Sequence, residues 1–212
     1  MAPELDSGEA LRRLRQGNDR FAAGCAEHPH LSLDHLRAVA EAGQHPFAAV
    51  VGCSDSRCPI ELVFDAGVGD VFVIRVAGNF CSGDEIASVE YAAVHLEVPL
   101  VVVLGHTGCG AVTAAVAGEE AEGRIPQLLG EIEPAVRKAR SLYPAAAPGE
   151  LVDAAARENV WHAIENLFCE SRPIAARVRE GRTQVHGAFL ELATGRVEWL
   201  GEHPQQAALM MR

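Results

Sequence analysis

Three short runs of β-branched and apolar residues, Phe47–Val51, Val71–Ile74 and Leu100–Leu104, are each followed by a turn containing Gly, Cys or other polar residues and then by a helical pattern. A strand that stays apolar at successive positions has no wet face, so both of its sides must be covered. Alternating with helices, such strands predict an α/β domain built on a mainly parallel sheet flanked by helices. A fourth run, Gln184–Leu190, connects to Val197–Leu200 through Ala193-Thr194-Gly195. A link that short makes the pair an antiparallel hairpin at the sheet edge, so the sheet is mixed.

Between the strands, Ile86, Val89, Ala93 and Leu96 recur at helical spacing, as do Val160, Ile164, Leu167 and Phe168. Each set makes one apolar stripe and predicts an amphipathic helix packed on the sheet. No strand precedes Phe47. Residues 1–43 instead read as a helical arm, with Leu11, Leu14 and Phe21 on one face and Ser32 as the N-cap of a second helix reaching toward Gly43. Such an arm either folds back on its own domain or lies across a partner subunit, and periodicity does not distinguish the two. The proline-containing stretch Tyr143–Gly149 interrupts a helical region as a loop, not as a domain boundary. At 212 residues the expectation is one domain over 1–212, with the arm at 1–43 and the core at 44–212.

Composition narrows the partners. Lys and Arg number 18 against 29 Asp and Glu, a net charge of −11, which argues against nucleic acid or an anionic membrane surface and for a small molecule or another protein. The longest apolar runs are about five residues, against the roughly 20 that span a bilayer. Six scattered cysteines in a chain of this length, with no apolar export segment among the first residues, predict a reducing cytoplasm.

Two of those cysteines, one histidine and their neighbours carry the chemistry. Cys53 follows the first strand in Gly52-Cys53-Ser54-Asp55-Ser56-Arg57, and His106 and Cys109 follow the third in Gly105-His106-Thr107-Gly108-Cys109-Gly110. Neighbouring parallel strands bring both loops to one carboxyl edge of the sheet, where open α/β folds place ligands. Two thiolates and an imidazole suit Zn2+, and three protein ligands leave a fourth position for water, as catalysis requires. A buried pair of core cysteines, or a structural site completed by a fourth Cys such as Cys58 or Cys81, is the competing reading. Asp55 and Arg57 are spaced so that the carboxylate reaches either the metal or the guanidinium. Held by Arg57, Asp55 stays an ionised hydrogen-bond acceptor.

The segments Cys53-Ser54-Asp55-Ser56-Arg57, Arg75-Val76-Ala77-Gly78-Asn79 and His106-Thr107-Gly108-Cys109-Gly110 resemble, in order and spacing, the β-class carbonic anhydrases. The likeness extends from Gly17-Asn18-Asp19-Arg20-Phe21 to Gly187-Ala188-Phe189 and Thr194-Gly195. The resemblance implies one Zn2+ per chain on Cys53, His106 and Cys109, with Asp55 and Arg57 as a catalytic dyad beside the fourth position. It implies reversible hydration of carbon dioxide to bicarbonate and a proton by zinc-activated water. Gln44 matches the glutamine that meets substrate from across a dimer interface, and Phe72, Ala77 and Tyr91 match pocket-lining positions. A homodimer or homotetramer follows from that glutamine. One subgroup carries a Trp three residues before the first Cys, making a bicarbonate site with the Arg and Tyr found here as Arg75 and Tyr91; this chain has Val50 there, so that site is incomplete. Cys58 stands where the family commonly has an apolar residue, as a bystander or a site of oxidation. Hydrolysis of carbonyl sulfide or carbon disulfide on the same zinc, and a non-catalytic zinc or redox-sensing module closed by Asp55, are the alternatives.

Overall fold

The computed structural model describes residues 5–211; the first four residues of the expected arm and Arg212 lie outside them. The apolar runs form strands β1 (Ala48–Cys53), β2 (Val71–Val76), β3 (Leu100–His106), β4 (Gln184–Glu191) and β5 (Arg196–Gly201). Around them lie α1 (Ser7–Ala22), α2 (Leu33–Ala42), α3 (Ile60–Val63), α4 (Gly83–Glu90), α5 (Gly110–Ala117), α6 (Ile125–Leu142), α7 (Pro148–Glu170), α8 (Arg172–Arg179) and α9 (Gln206–Leu209).

The sheet order is β2-β1-β3-β4-β5, parallel throughout except for the β4–β5 hairpin. Every residue of β1 and β3 is buried. Alternate side chains explain why: Ala49, Val51 and Val101 enter a core shared with α4, α6 and α7, whereas Ala48, Val50 and Leu100 enter a second core shared with α1 and α3. Two covered faces are what the uninterrupted apolar runs demanded. From β1 the chain goes to β2 on one side and returns to β3 on the other, so a topological switch point opens at the carboxyl ends of β1 and β3.

The first helix of the arm takes one of the two expected fates. α1 folds back, burying Ala10, Leu14, Gly17 and Asn18. Asn18 ties it down, because its Nδ2 donates to the carbonyls of Val63 and Gly195 while its Oδ1 accepts from the Val197 N–H. Helix α2 starts at Ser32 as expected, whose hydroxyl accepts from the His35 N–H, and stops at Gly43, yet it buries no residue. Two boundaries differ from the sequence reading. The helix expected over Ile86–Leu96 changes after Glu90 into one π-helical turn, Tyr91–His95, closed by Leu96 N–H to Tyr91 C=O at 3.0 Å. A 3.6-residue periodicity does not register one widened turn. The loop after Tyr143 ends at Ala147, since Pro148 takes the first position of α7, where its missing N–H costs nothing.

Candidate metal centre

Cys53 is the last residue of β1, His106 the last of β3, and Cys109 the N-cap of α5. The switch point therefore brings together three side chains that lie 53 and 3 residues apart in sequence. All three are buried, and their ligand atoms lie within 4.8 Å of one another. The sulfurs of Cys53 and Cys109 are 3.9 Å apart, close to the about 3.8 Å that two thiolates span on a tetrahedral zinc with ~2.3 Å bonds. His106 Nδ1 faces the Thr107 carbonyl oxygen at 2.9 Å and donates its proton there. That fixes the tautomer and leaves the Nε2 lone pair free. Nε2 is buried and has no protein partner. An orphaned imidazole nitrogen beside two facing sulfurs is a donor set that fits zinc.

Backbone N–H groups complete the surroundings of the Cys53 sulfur, which accepts from Gly78 at 3.3 Å and Asp55 at 3.4 Å. The facing Cys109 lowers the Cys53 thiol pKa against burial, helped by His106 and these two amides. Cys53 in turn, together with burial, pushes the Cys109 thiol upward. These contacts favour the thiolate at Cys53, the form in which cysteine ligates metal.

Asp55 and Arg57 form a forked pair, Arg57 Nε to Oδ1 at 2.9 Å and Nη2 to Oδ2 at 2.6 Å. The Arg57 N–H adds a bond to Oδ1 at 2.9 Å, and Nη2 also reaches the Gly108 carbonyl at 3.0 Å, linking the two ligand loops. The Arg57 guanidinium holds the Asp55 carboxyl well below the usual carboxylate range against partial burial. Asp55 is outside the three-residue ligand cluster. Neither Cys58 nor Cys81 belongs to it either, and burial pushes the Cys81 thiol upward, away from the ligating form. Among the described residues the cluster is one of three candidate ligands.

The other expected site residues are dispersed. Phe72 is half-buried on β2 and stacks at 6.0 Å on Tyr91, an exposed residue that also lies 4.8 Å from His95. Ala77 is half-buried in the loop that carries Gly78. Gln44 sits exposed in the loop between α2 and β1. Arg75 is committed to the backbone of the first ligand loop, donating from Nε to the Cys53 carbonyl at 2.9 Å and from Nη2 to the Asp55 carbonyl at 2.7 Å. That clamp, and the amide of Asn159 beneath Gly78, were not read from the sequence; an Arg four residues into a strand and an Asn within a helix carry no local signal of a long-range bond.

The sequence profile of the carbonic anhydrase family matches residues 48–197. The chain belongs to the β-carbonic anhydrase family. It is 39% identical over 196 residues to carbonic anhydrase 2 of Mycobacterium tuberculosis, covering 92% of this chain and 93% of that one. It is 36% identical over 200 residues to the carbonic anhydrase of Mycolicibacterium smegmatis, covering 92% and 94%. Among solved structures, the β-carbonic anhydrase CafA of Aspergillus fumigatus superposes with a TM-score of 0.75 at 30% identity, over 96% of each chain. One of two tetrameric β-carbonic anhydrases from Sordaria macrospora gives 0.72 at 29% identity, over 90% of this chain and 96% of that one. The ligand loops and nearly the whole described fold thus lie within the part shared with β-carbonic anhydrases.

Proposed function

We propose that this β-carbonic anhydrase hydrates carbon dioxide reversibly to bicarbonate and a proton, with Cys53, His106 and Cys109 as the ligands of one zinc ion. The orphaned His106 Nε2 beside two facing sulfurs carries the reading. Zinc at that position supplies Lewis-acid activation of a water molecule. The chain's own residues do the rest. Arg57 keeps Asp55 ionised and turned, leaving Oδ2 with a lone pair beyond its single bond to Nη2. Asp55 accepts the O–H of the attacking water there, which leaves an oxygen lone pair facing the carbon of carbon dioxide. Because both Asp55 oxygens are engaged by Arg57, a site closed by Asp55 is not favoured.

Gln44 is proposed to act in a partner subunit's site, consistent with its place in an exposed loop after the unburied helix α2. Phe72, Ala77 and Tyr91 are proposed to line the pocket. Exposed Leu31 (59%), Leu33 (59%) and Leu36 (47%) in and beside α2 support a homo-oligomer, as does the tetrameric state of the Sordaria relatives. One domain over 1–212 is supported by the lock of α1 onto the β4–β5 hairpin. No helix among the described residues is long and apolar enough to cross a membrane. Six free cysteines support a reducing cytoplasm as its location.

Stopped-flow hydration of carbon dioxide by zinc-quantified protein from pH 6.5 to 9 tests the function. Two thiolates offset the ion's charge, so water is acidified less than in a His-only site and the rate should climb toward alkaline pH. Cys53→Ala should remove both zinc and activity. Zinc at one per chain with no hydration at any pH would refute the proposal.

A further inference from the structure

Asn159 lies in the middle of α7 and is fully buried, where an amide side chain is costly unless it is hydrogen-bonded. Its Nδ2 donates to the Gly78 carbonyl oxygen at 2.6 Å. The Gly78 N–H in turn donates to Cys53 Sγ at 3.3 Å. Gly78 has a φ of +88°, and a Cβ on it would stand 2.5 Å from Ile132 Cδ1 on α6. Only glycine takes that backbone without strain in that space, so tertiary packing, not the loop itself, sets where its N–H points. Asn159 Oδ1 is buried without a partner. The position therefore tolerates an unpaired acceptor while presenting a donor, a cost without purpose if Asn159 served packing alone.

We infer that Asn159 is a positioning residue of the metal centre: by holding the Gly78 carbonyl it aims the Gly78 N–H at the Cys53 sulfur, and so sets how much electron density that sulfur gives a bound metal. Hydrogen bonds to ligating sulfur are one of the means by which a protein tunes a metal site. The inference rests on Cys53 being a metal ligand, as proposed above. A matched control lies on the same helix. Asn166 Nδ2 also bonds a carbonyl of this segment, Cys81 C=O at 3.2 Å, with no onward bond from that residue to a ligand.

The test uses full-length protein loaded with Co2+ in place of zinc, reading the sulfur-to-cobalt charge-transfer absorption, together with Zn2+ affinity by chelator competition. Wild type is compared with Asn159→Ala, Asn159→Leu and Asn166→Ala. Asn159→Ala should weaken zinc binding about 10- to 100-fold and move the band to lower energy, since a sulfur that loses an N–H bond holds its electrons less tightly. Asn166→Ala should leave band and affinity at their wild-type values. If the alanine variant does not fold, Asn159→Leu, which keeps the branched shape and has no donor, carries the same expectation. Wild-type band and affinity in the folded Asn159 variants would overturn the inference, and so would an equal change in Asn166→Ala. Absence of any sulfur band from the wild-type cobalt protein would instead overturn the ligand assignment itself, and the relay with it.

Discussion

At the residue scale, the chemistry turns on what each polar atom is already doing. Asp55 has its two oxygens on Arg57, Arg57 has a further donor on Gly108, and Arg75 has two donors on the carbonyls of Cys53 and Asp55. Arg75 is thus engaged in shaping the first ligand loop, in keeping with Val50 standing where a bicarbonate-binding subgroup has Trp. Asp55→Asn keeps the shape but replaces one acceptor with a donor. For a group that positions a proton in the transition state, kcat/KM for carbon dioxide hydration should fall about 100-fold or more while zinc stays at one per chain. Metal analysis beside stopped-flow kinetics checks this; a variant with wild-type kcat/KM would remove Asp55 from the mechanism. The motif spacing made Cys53, Asp55, Arg57, His106 and Cys109 legible as one set because each of them has a partner within four residues in sequence. Arg75 and Asn159 act at separations of 22 and 81 residues, where no local pattern exists.

At the element scale, α1 decides whether the second face of the sheet is covered. Its register on α3 depends on Gly17, where an added Cβ would meet the Phe64 carbonyl oxygen at 1.8 Å. Backbone cannot yield as a flexible side chain does, so Gly17→Ala should push α1 away from α3 and weaken the bonds of Asn18. Overpacking of this kind should cost about 3 kcal/mol, read as a lower urea midpoint with an unchanged slope. Arg20 next in the helix reinforces the same contact, its Nε bonding Asp65 Oδ2 at 2.6 Å while Asp65 also accepts the Glu27 and His28 N–H groups. Helix α2 buries no residue, although its His35 Nε2 donates to the Val68 carbonyl at 3.1 Å. Its capping serine and terminal glycine make it a helix, and its Leu33 and Leu36 are left exposed.

At the scale of the whole molecule, that uncovered face makes assembly a measurable property. Leu33→Asp with Leu36→Asp should shift the protein to a smaller species in sedimentation velocity and, on the proposal that Gln44 serves a partner's site, lower activity; an unchanged species would exclude α2 from the contact. Stability should also depend on pH through two buried histidines. His203 Nδ1 accepts the Gln205 N–H at 3.0 Å, and its Nε2 faces Glu165 at 3.3 Å, with Lys138 and Glu158 near and Trp161 edge-on. Burial lowers its pKa against the pull of Glu165, and burial likewise lowers that of His186. A folded pKa below the unfolded value means that the stabilisation is complete above about 6.5 and is lost as pH falls through the folded value. Tm should therefore drop between pH 7 and pH 5, and His203→Gln should flatten that drop; an equally steep drop would assign it elsewhere. The amino-acid pattern by itself determined the strands, the cap at Ser32, the hairpin and the residues able to hold a soft metal, because each is written in near neighbours. Only the tertiary structure decided that α1 folds back while α2 stays bare, that Asp55 belongs to Arg57, and that Asn159 stands beneath Gly78. Those outcomes are contacts between distant segments, selected by packing and hydrogen-bond satisfaction once the sheet has formed, and they leave no period in the chain.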